Sequence, residues 1–137
     1  MNQQTRGERN NNPGNIDRNA TVWKGMSDVQ PDVRFIRFNT PEYGIRALAK
    51  TLLTYNKKYG LCTVEQIIDR WAPPVENDTG AYIARVCDAL DCEPDKAINM
   101  ESPTNLETLV RAIIKHENGR CIYSDKTIQD GVDMALA

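Results

Sequence analysis

The sequence predicts a mainly α-helical fold with a small β-hairpin near its front. Two observations carry this prediction. From Thr40 onward, apolar residues recur three and four positions apart between recognisable caps. Before Thr40 the chain is rich in turn formers and holds only two short β-prone stretches. The 137 residues show no linker-like segment and no internal repeat, so residues 1–137 read as one domain.

Asn10-Asn11-Asn12-Pro13-Gly14-Asn15 is a run of turn formers and predicts an ordered loop. Val22-Trp23 and Val33 to Phe38, separated by Gly25 and Pro31, predict the hairpin. Thr40 caps a helix with Pro41 at its first position, carrying Ile45, Leu48, Leu52, Tyr55 and Tyr59 on one stripe to Gly60. Thr63 to Gln66 is a capping box, heading a short helix through Ile67, Ile68 and Trp71 that Pro73-Pro74 stops. Asp78 or Thr79 opens the next helix, with Tyr82, Ile83, Val86 and Leu90. Thr104 to Glu107 reads as a second capping box, before Leu109, Val110, Ile113 and Ile114, and Gly119 ends that helix. A last helix from about Thr127 carries Ile128, Val132 and Ala135.

Seventeen Lys and Arg against nineteen Asp and Glu give a net charge of −2. That balance argues against an electrostatic nucleic-acid binder and leaves a neutral polymer such as a polysaccharide open. Thr63 to Leu90 could be read as two helices of a DNA-reading module, but Asp69, Glu76, Asp78 and Asp88 oppose it. No apolar run approaches the roughly 20 residues of a membrane span, and no signal peptide is recognisable. Cys62, Cys87, Cys92 and Cys121 form no CxxC pair, and the lone His116 is not spaced with them as a zinc site needs. No metal and no cofactor is expected. Free thiols are the simple reading; disulfides in an oxidising compartment are the alternative.

Glu117 is the most informative position. Residues 106, 110, 113 and 117 return to one side of a helix, so a carboxyl continues an apolar stripe at the C-terminal end. A carboxyl so placed loses hydration and faces carbonyl dipoles, both favouring the protonated form that a general acid needs. The alternative is an exposed Glu in a fraying turn beside Lys115 or Arg120. Asn11, Asn12 and Asn15 offer donors and acceptors suited to the acetamido and hydroxyl groups of a sugar, or they simply build turns. Trp71, Thr79 and Tyr82 offer aromatic faces and polar groups for a sugar ring, or a Pro-stiffened loop and a capped helix. Trp23 is a sugar platform or ordinary core.

Arg6-Gly-Glu-Arg-Asn-Asn-Asn-Pro-Gly-Asn-Ile16, Trp23-Lys-Gly25, Phe35-Ile-Arg-Phe38, Pro41 to Ala47, Trp71-Ala-Pro-Pro-Val-Glu-Asn-Asp-Thr79 and His116-Glu-Asn-Gly119 resemble a family of phage and prophage virion proteins. Those proteins are similar to peptidoglycan-degrading domains of the lysozyme-like superfamily. The order Asn12-Pro-Gly-Asn-Ile16, Trp23-Lys-Gly25, Phe35 to Phe38 and Tyr82 also resembles bacterial cell-wall glucosaminidases. Those enzymes and lytic transglycosylases carry their acid at a helix end upstream of the Asn motif. Here that helix corresponds to Leu109 to Gly119, so the resemblance implies a lysozyme-like fold in circularly permuted form, with Glu117 as the acid.

The implied activity is cleavage of β-1,4 bonds in peptidoglycan, of the muramidase, lytic transglycosylase or glucosaminidase type. The implied place is the virion or, after delivery, the bacterial periplasm, and the implied partners are peptidoglycan and other virion proteins. Glu8 and Glu42 are candidate second carboxylates, although Glu42 also suits the dipole at a helix start. A non-catalytic virion or sugar-binding protein of the same fold is the rival expectation.

Overall fold

The computed structural model describes residues 3–74 and 77–137, so Val75 and Glu76 of the Trp71–Thr79 segment lie outside the described residues. Among the described residues six helices run in order: α1 (Arg6–Arg9), α2 (Pro41–Tyr59), α3 (Val64–Trp71), α4 (Thr79–Leu90), α5 (Pro103–Asn118) and α6 (Asp125–Leu136). The mainly α expectation is therefore met. None of these helices is long and apolar enough to cross a membrane.

The predicted caps explain three of the helices. The Thr40 hydroxyl accepts from the Tyr43 amide, the Thr63–Gln66 box is formed in both directions, and the Asp78 carboxylate accepts from the Ala81 amide. The predicted start of α5 is corrected. Ser102, not Thr104, is its cap, accepting from the Asn105 amide with Pro103 at the first helical position. Likewise Ser124 caps α6, which begins at Asp125, two residues ahead of the expected start. The stripes pack as one apolar cluster drawing on α2 to α6, with Leu48, Leu52, Ile67, Val86, Leu109, Ile113 and Val132 all buried. Tyr59, expected on the α2 stripe, is exposed at the last turn.

The hairpin expectation is corrected. Among the described residues no strand forms; single antiparallel bridges join Asp17 to Phe35 and Met26 to Phe38. Val22 and Val33 are 88% and 89% exposed, so these two β-prone positions find no apolar surface to reward continuous pairing, although Ile36 and Phe38 are buried. The 35–38 segment is instead stitched to the Asn loop, with the Ile36 amide on the Ile16 carbonyl (3.1 Å) and the Phe38 amide on the Asn10 carbonyl (2.9 Å).

The Asn loop itself is ordered, and α1 precedes it where only loop was expected. A Thr5–Glu8 capping box closes that single turn. Asn11 and Asn15 take left-handed backbone (φ 50° and 52°), which Asn tolerates better than most side chains. The loop crosses α2 at Gly44, where a Cβ would fall 1.8 Å from the Asn11 carbonyl oxygen.

Candidate active site

Gly119 caps α5 with φ 76°, so the chain turns away immediately after the helix and leaves its last turn facing the Asn loop. Side chains fasten the two together across more than a hundred residues. The Thr5 hydroxyl donates to Asn118 Oδ1 (2.6 Å), and Asn118 Nδ2 donates to the Pro13 carbonyl (2.8 Å). Arg120 donates to both Glu8 oxygens, at 3.1 and 2.7 Å. Beside this junction, at Gly14, Asn15 and Ile16, opens a groove of about 880 Å³.

Glu117 lines that groove and is half-buried. Its Oε1 accepts a long hydrogen bond from Asn15 Nδ2 (3.4 Å), and its Oε2 accepts from the Tyr82 hydroxyl (3.0 Å). Trp71 Nε1 in turn donates to the Tyr82 oxygen at 3.1 Å. An indole nitrogen only donates, so the phenol oxygen must accept there and spend its own hydrogen on Glu117. The chain Trp71–Tyr82–Glu117 thus has one direction. Burial first, and then the adjacent Glu117 carboxyl, push the Tyr82 phenol far above its ordinary range, which keeps it a donor.

Trp71 and Asn15 line the groove as expected of contact residues. The other expected contacts are corrected. Asn12 is completely buried; it donates to the Ile16 and Ile36 carbonyls and accepts from the Ile16 amide, so its amide is spent on the loop. Asn11 donates to the Phe38 carbonyl and stays outside the groove lining. Thr79 is buried, with its hydroxyl on the Ala72 carbonyl at 2.7 Å. Tyr82 is fully buried and presents no ring face to a ligand; it meets Glu117 from behind.

Neither expected second carboxylate faces the groove. Glu8 is buried beneath Arg120, whose hydrogen bonds, with those of Thr5, hold its carboxyl below the usual range. Glu42 lines a separate depression with Tyr43, Asp130 and Asp133. Among the described residues the other carboxylate on the groove is Asp17, at an exposed rim and paired with Arg34 Nε at 3.0 Å.

Trp23, which had two readings, lines the groove and also packs on the core. Asn77, within the expected Trp71–Thr79 segment, lines the groove, whereas Phe35, Tyr55, Thr51, Asn19, Asp17 and Arg34 complete much of the lining without having been expected there. The single bridge between Asp17 and Phe35 is what brings three of them together, and a lone bridge has no signature in sequence.

Among the described residues no three His, Cys, Asp or Glu side chains converge as a metal site would require. The four cysteines are free thiols. Burial, then the neighbouring Cys92, push the Cys87 thiol up to about 11.

No protein-family model matches the chain. Protein P5 of Pseudoalteromonas phage PM2 is 39% identical to it over 136 residues, covering 97% of this chain and 83% of the phage protein. At that identity and coverage, the chain belongs to the family of this phage protein.

Proposed function

We propose that this protein cuts the glycan strands of peptidoglycan at a β-1,4 bond between amino sugars, with Glu117 as the proton donor. The supporting observation is a carboxyl at the end of α5, set in an open groove and held from behind by the Trp71–Tyr82 chain. The groove's size is that of a ligand cleft. Trp23, Phe35, Tyr55 and Trp71 supply apolar surfaces for sugar rings, and Asn15, Asn19 and Asn77 supply donors and acceptors for acetamido and hydroxyl groups.

In this reading the two oxygens of Glu117 take different roles. Oε2 receives the Tyr82 hydrogen, so the transferable proton resides on Oε1, beside Asn15 on the groove side. That proton passes to the bridging oxygen as the bond from C1 to that oxygen breaks. The carbonyl oxygen of the sugar's own acetamido group captures C1. The Glu117 carboxylate then takes a proton from the hydroxyl that displaces it. Attack by the sugar's C6 hydroxyl gives an anhydro product, and attack by water gives a reducing end. This route needs no second catalytic carboxylate, in keeping with Asp17 being committed to Arg34.

The fold that goes with this reading is lysozyme-like and circularly permuted. The fastening of residues 5–15 against residues 117–120 supports it, because it joins the Asn motif and the acid-bearing helix end. Kinship with a phage protein fits a virion component that opens the cell wall in the periplasm beside other virion proteins.

Mass spectrometry of muropeptides after digestion tests this. The wild type is expected to yield shortened strands and Glu117→Gln none. Equal products from both would move the acid elsewhere. Sedimentation with peptidoglycan without any cleavage would instead make the protein a sugar-binding virion component.

A further inference from the structure

His116 precedes Glu117 in the chain, yet successive helix residues point about 100° apart and do not face one another. They meet through a third residue. Glu117 takes the Tyr82 hydroxyl, while the His116 ring lies flat on the Tyr82 ring, with centroids 3.6 Å apart and planes 22° apart. The hydroxyl lies on the long axis of the phenol, so spinning the ring leaves it in place, but tilting the ring moves it. The surface against the ring face therefore sets where the hydroxyl meets the carboxyl.

Arg85, one turn after Tyr82 on α4, reaches His116 Nδ1 with Nη1 at 3.1 Å. A guanidinium has only donors, so Nδ1 must offer its lone pair and the imidazole hydrogen sits on Nε2. We propose that His116 is a positioning residue for Glu117. Its neutral imidazole, fixed by Arg85, is the plate that holds Tyr82 in register with the carboxyl. For its effect on turnover this rests on the reading of Glu117 as proton donor; the geometry itself is measured without substrate.

The charged groups around the imidazole are Arg85 and Asp88 on α4, Asp78 at its cap, and Lys115 and Glu117 on α5. Burial first, then Arg85, hold His116 below its ordinary value against the pull of Glu117 and Asp78. A proton on Nδ1 would set N–H against guanidinium. Acidification is therefore expected to break that contact and loosen the ring stack.

The Trp71 indole N–H, which donates to the Tyr82 oxygen, is the reporter. Its NMR resonance, distinguished from that of Trp23 by Trp23→Phe, is followed between pH about 8 and about 5 across the imidazole range. It is expected to titrate in the wild type and in Glu117→Gln. It should stay flat in His116→Phe, which keeps an aromatic plate without the titrating nitrogen. In His116→Ala it should be displaced at every pH. In muropeptide release, His116→Ala is expected to lower kcat at least about tenfold with KM nearly unchanged, and His116→Phe to recover most of that loss.

A Trp71 resonance that is flat in the wild type, or that loses its titration in Glu117→Gln, overturns the proposal. So does one that His116→Ala leaves in place. A wild type that shows the expected titration but cuts no glycan overturns the glycan reading and leaves the positioning role standing.

Discussion

Residues 3–39 and residues 40–137 are held by different physics. The helical part buries stripes of aliphatic side chains in a shared cluster, where each contact is weak and interchangeable. The front part has one four-residue helix and two single bridges; it sends Ile16, Ile36 and Phe38 into that cluster, but its path is held by individual polar side chains such as its own Asn12 and Asp32 and Asn118 reaching in from α5. Apolar packing degrades gradually when one member is trimmed, whereas a buried amide that satisfies three backbone groups has no substitute. The front of the chain is thus irregular in outline but specified at single residues.

The sharpest test of that contrast is Asn12→Ala. It strands the Ile16 amide and the Ile36 carbonyl, leaves the Ile16 carbonyl with the Ile36 amide alone, and should destabilise by about 3–5 kcal/mol in urea titration. Leu109→Ala, in the middle of α5, should cost about 2–4 kcal/mol, because helices α2, α4 and α6 partly close the gap. If Leu109→Ala proved much the more damaging, the front part would be an appendage to a self-sufficient helical core.

Acidification should come next, and its lower stage should act on the front part. The Glu8 carboxyl lies below its ordinary value of 4.5, so the unfolded chain takes up that proton first. The associated stability is complete above the ordinary value and is lost as pH falls through the lower folded value. His116, depressed from 6.5, has the same sign and begins its loss at higher pH. Urea midpoints measured from pH about 7 down to about 3 should therefore fall in two stages, and Glu8→Gln should flatten the lower one.

Tyr82→Phe should be the mildest change to the fold. The ring stays on His116 and the core stays filled, but Trp71 Nε1 and Glu117 Oε2 each lose a partner, for about 1–2 kcal/mol. Its larger effect should fall on glycan cleavage, read as kcat in the muropeptide assay.

The same division decides what was legible in the sequence. Periodicity and caps located α2, α3 and α4 within a residue or two, because Thr40, Thr63 and Asp78 act on amides three residues away. Ser102 was overlooked because Thr104 to Glu107 imitates a capping box, whereas Pro103 at the first helical position favours the earlier start. The hairpin was expected from β-propensity alone, which reports fit to a half-buried pleated surface that Val22 and Val33 never find.

Of the groove, Glu117, Asn15 and Trp71 were legible as residue types at telling positions. Their neighbours Asp17, Arg34 and Phe35 were not, because one isolated bridge unites them. Asn12 and Thr79 have the chemistry of contact residues, but that chemistry is used internally, on backbone groups no local pattern announces.

Asn15 and Glu117 touch across 102 positions of the chain, and Thr5 and Asn118 across 113. During synthesis, therefore, the helices α2 to α4 are complete while the crevice still lacks its far wall. A ribosome-bound fragment stopping short of α5 would have the loop and the Trp–Tyr pair with nothing for them to grip. Competence would come late and in one step, when the last turn of α5 docks onto residues made more than a hundred positions earlier.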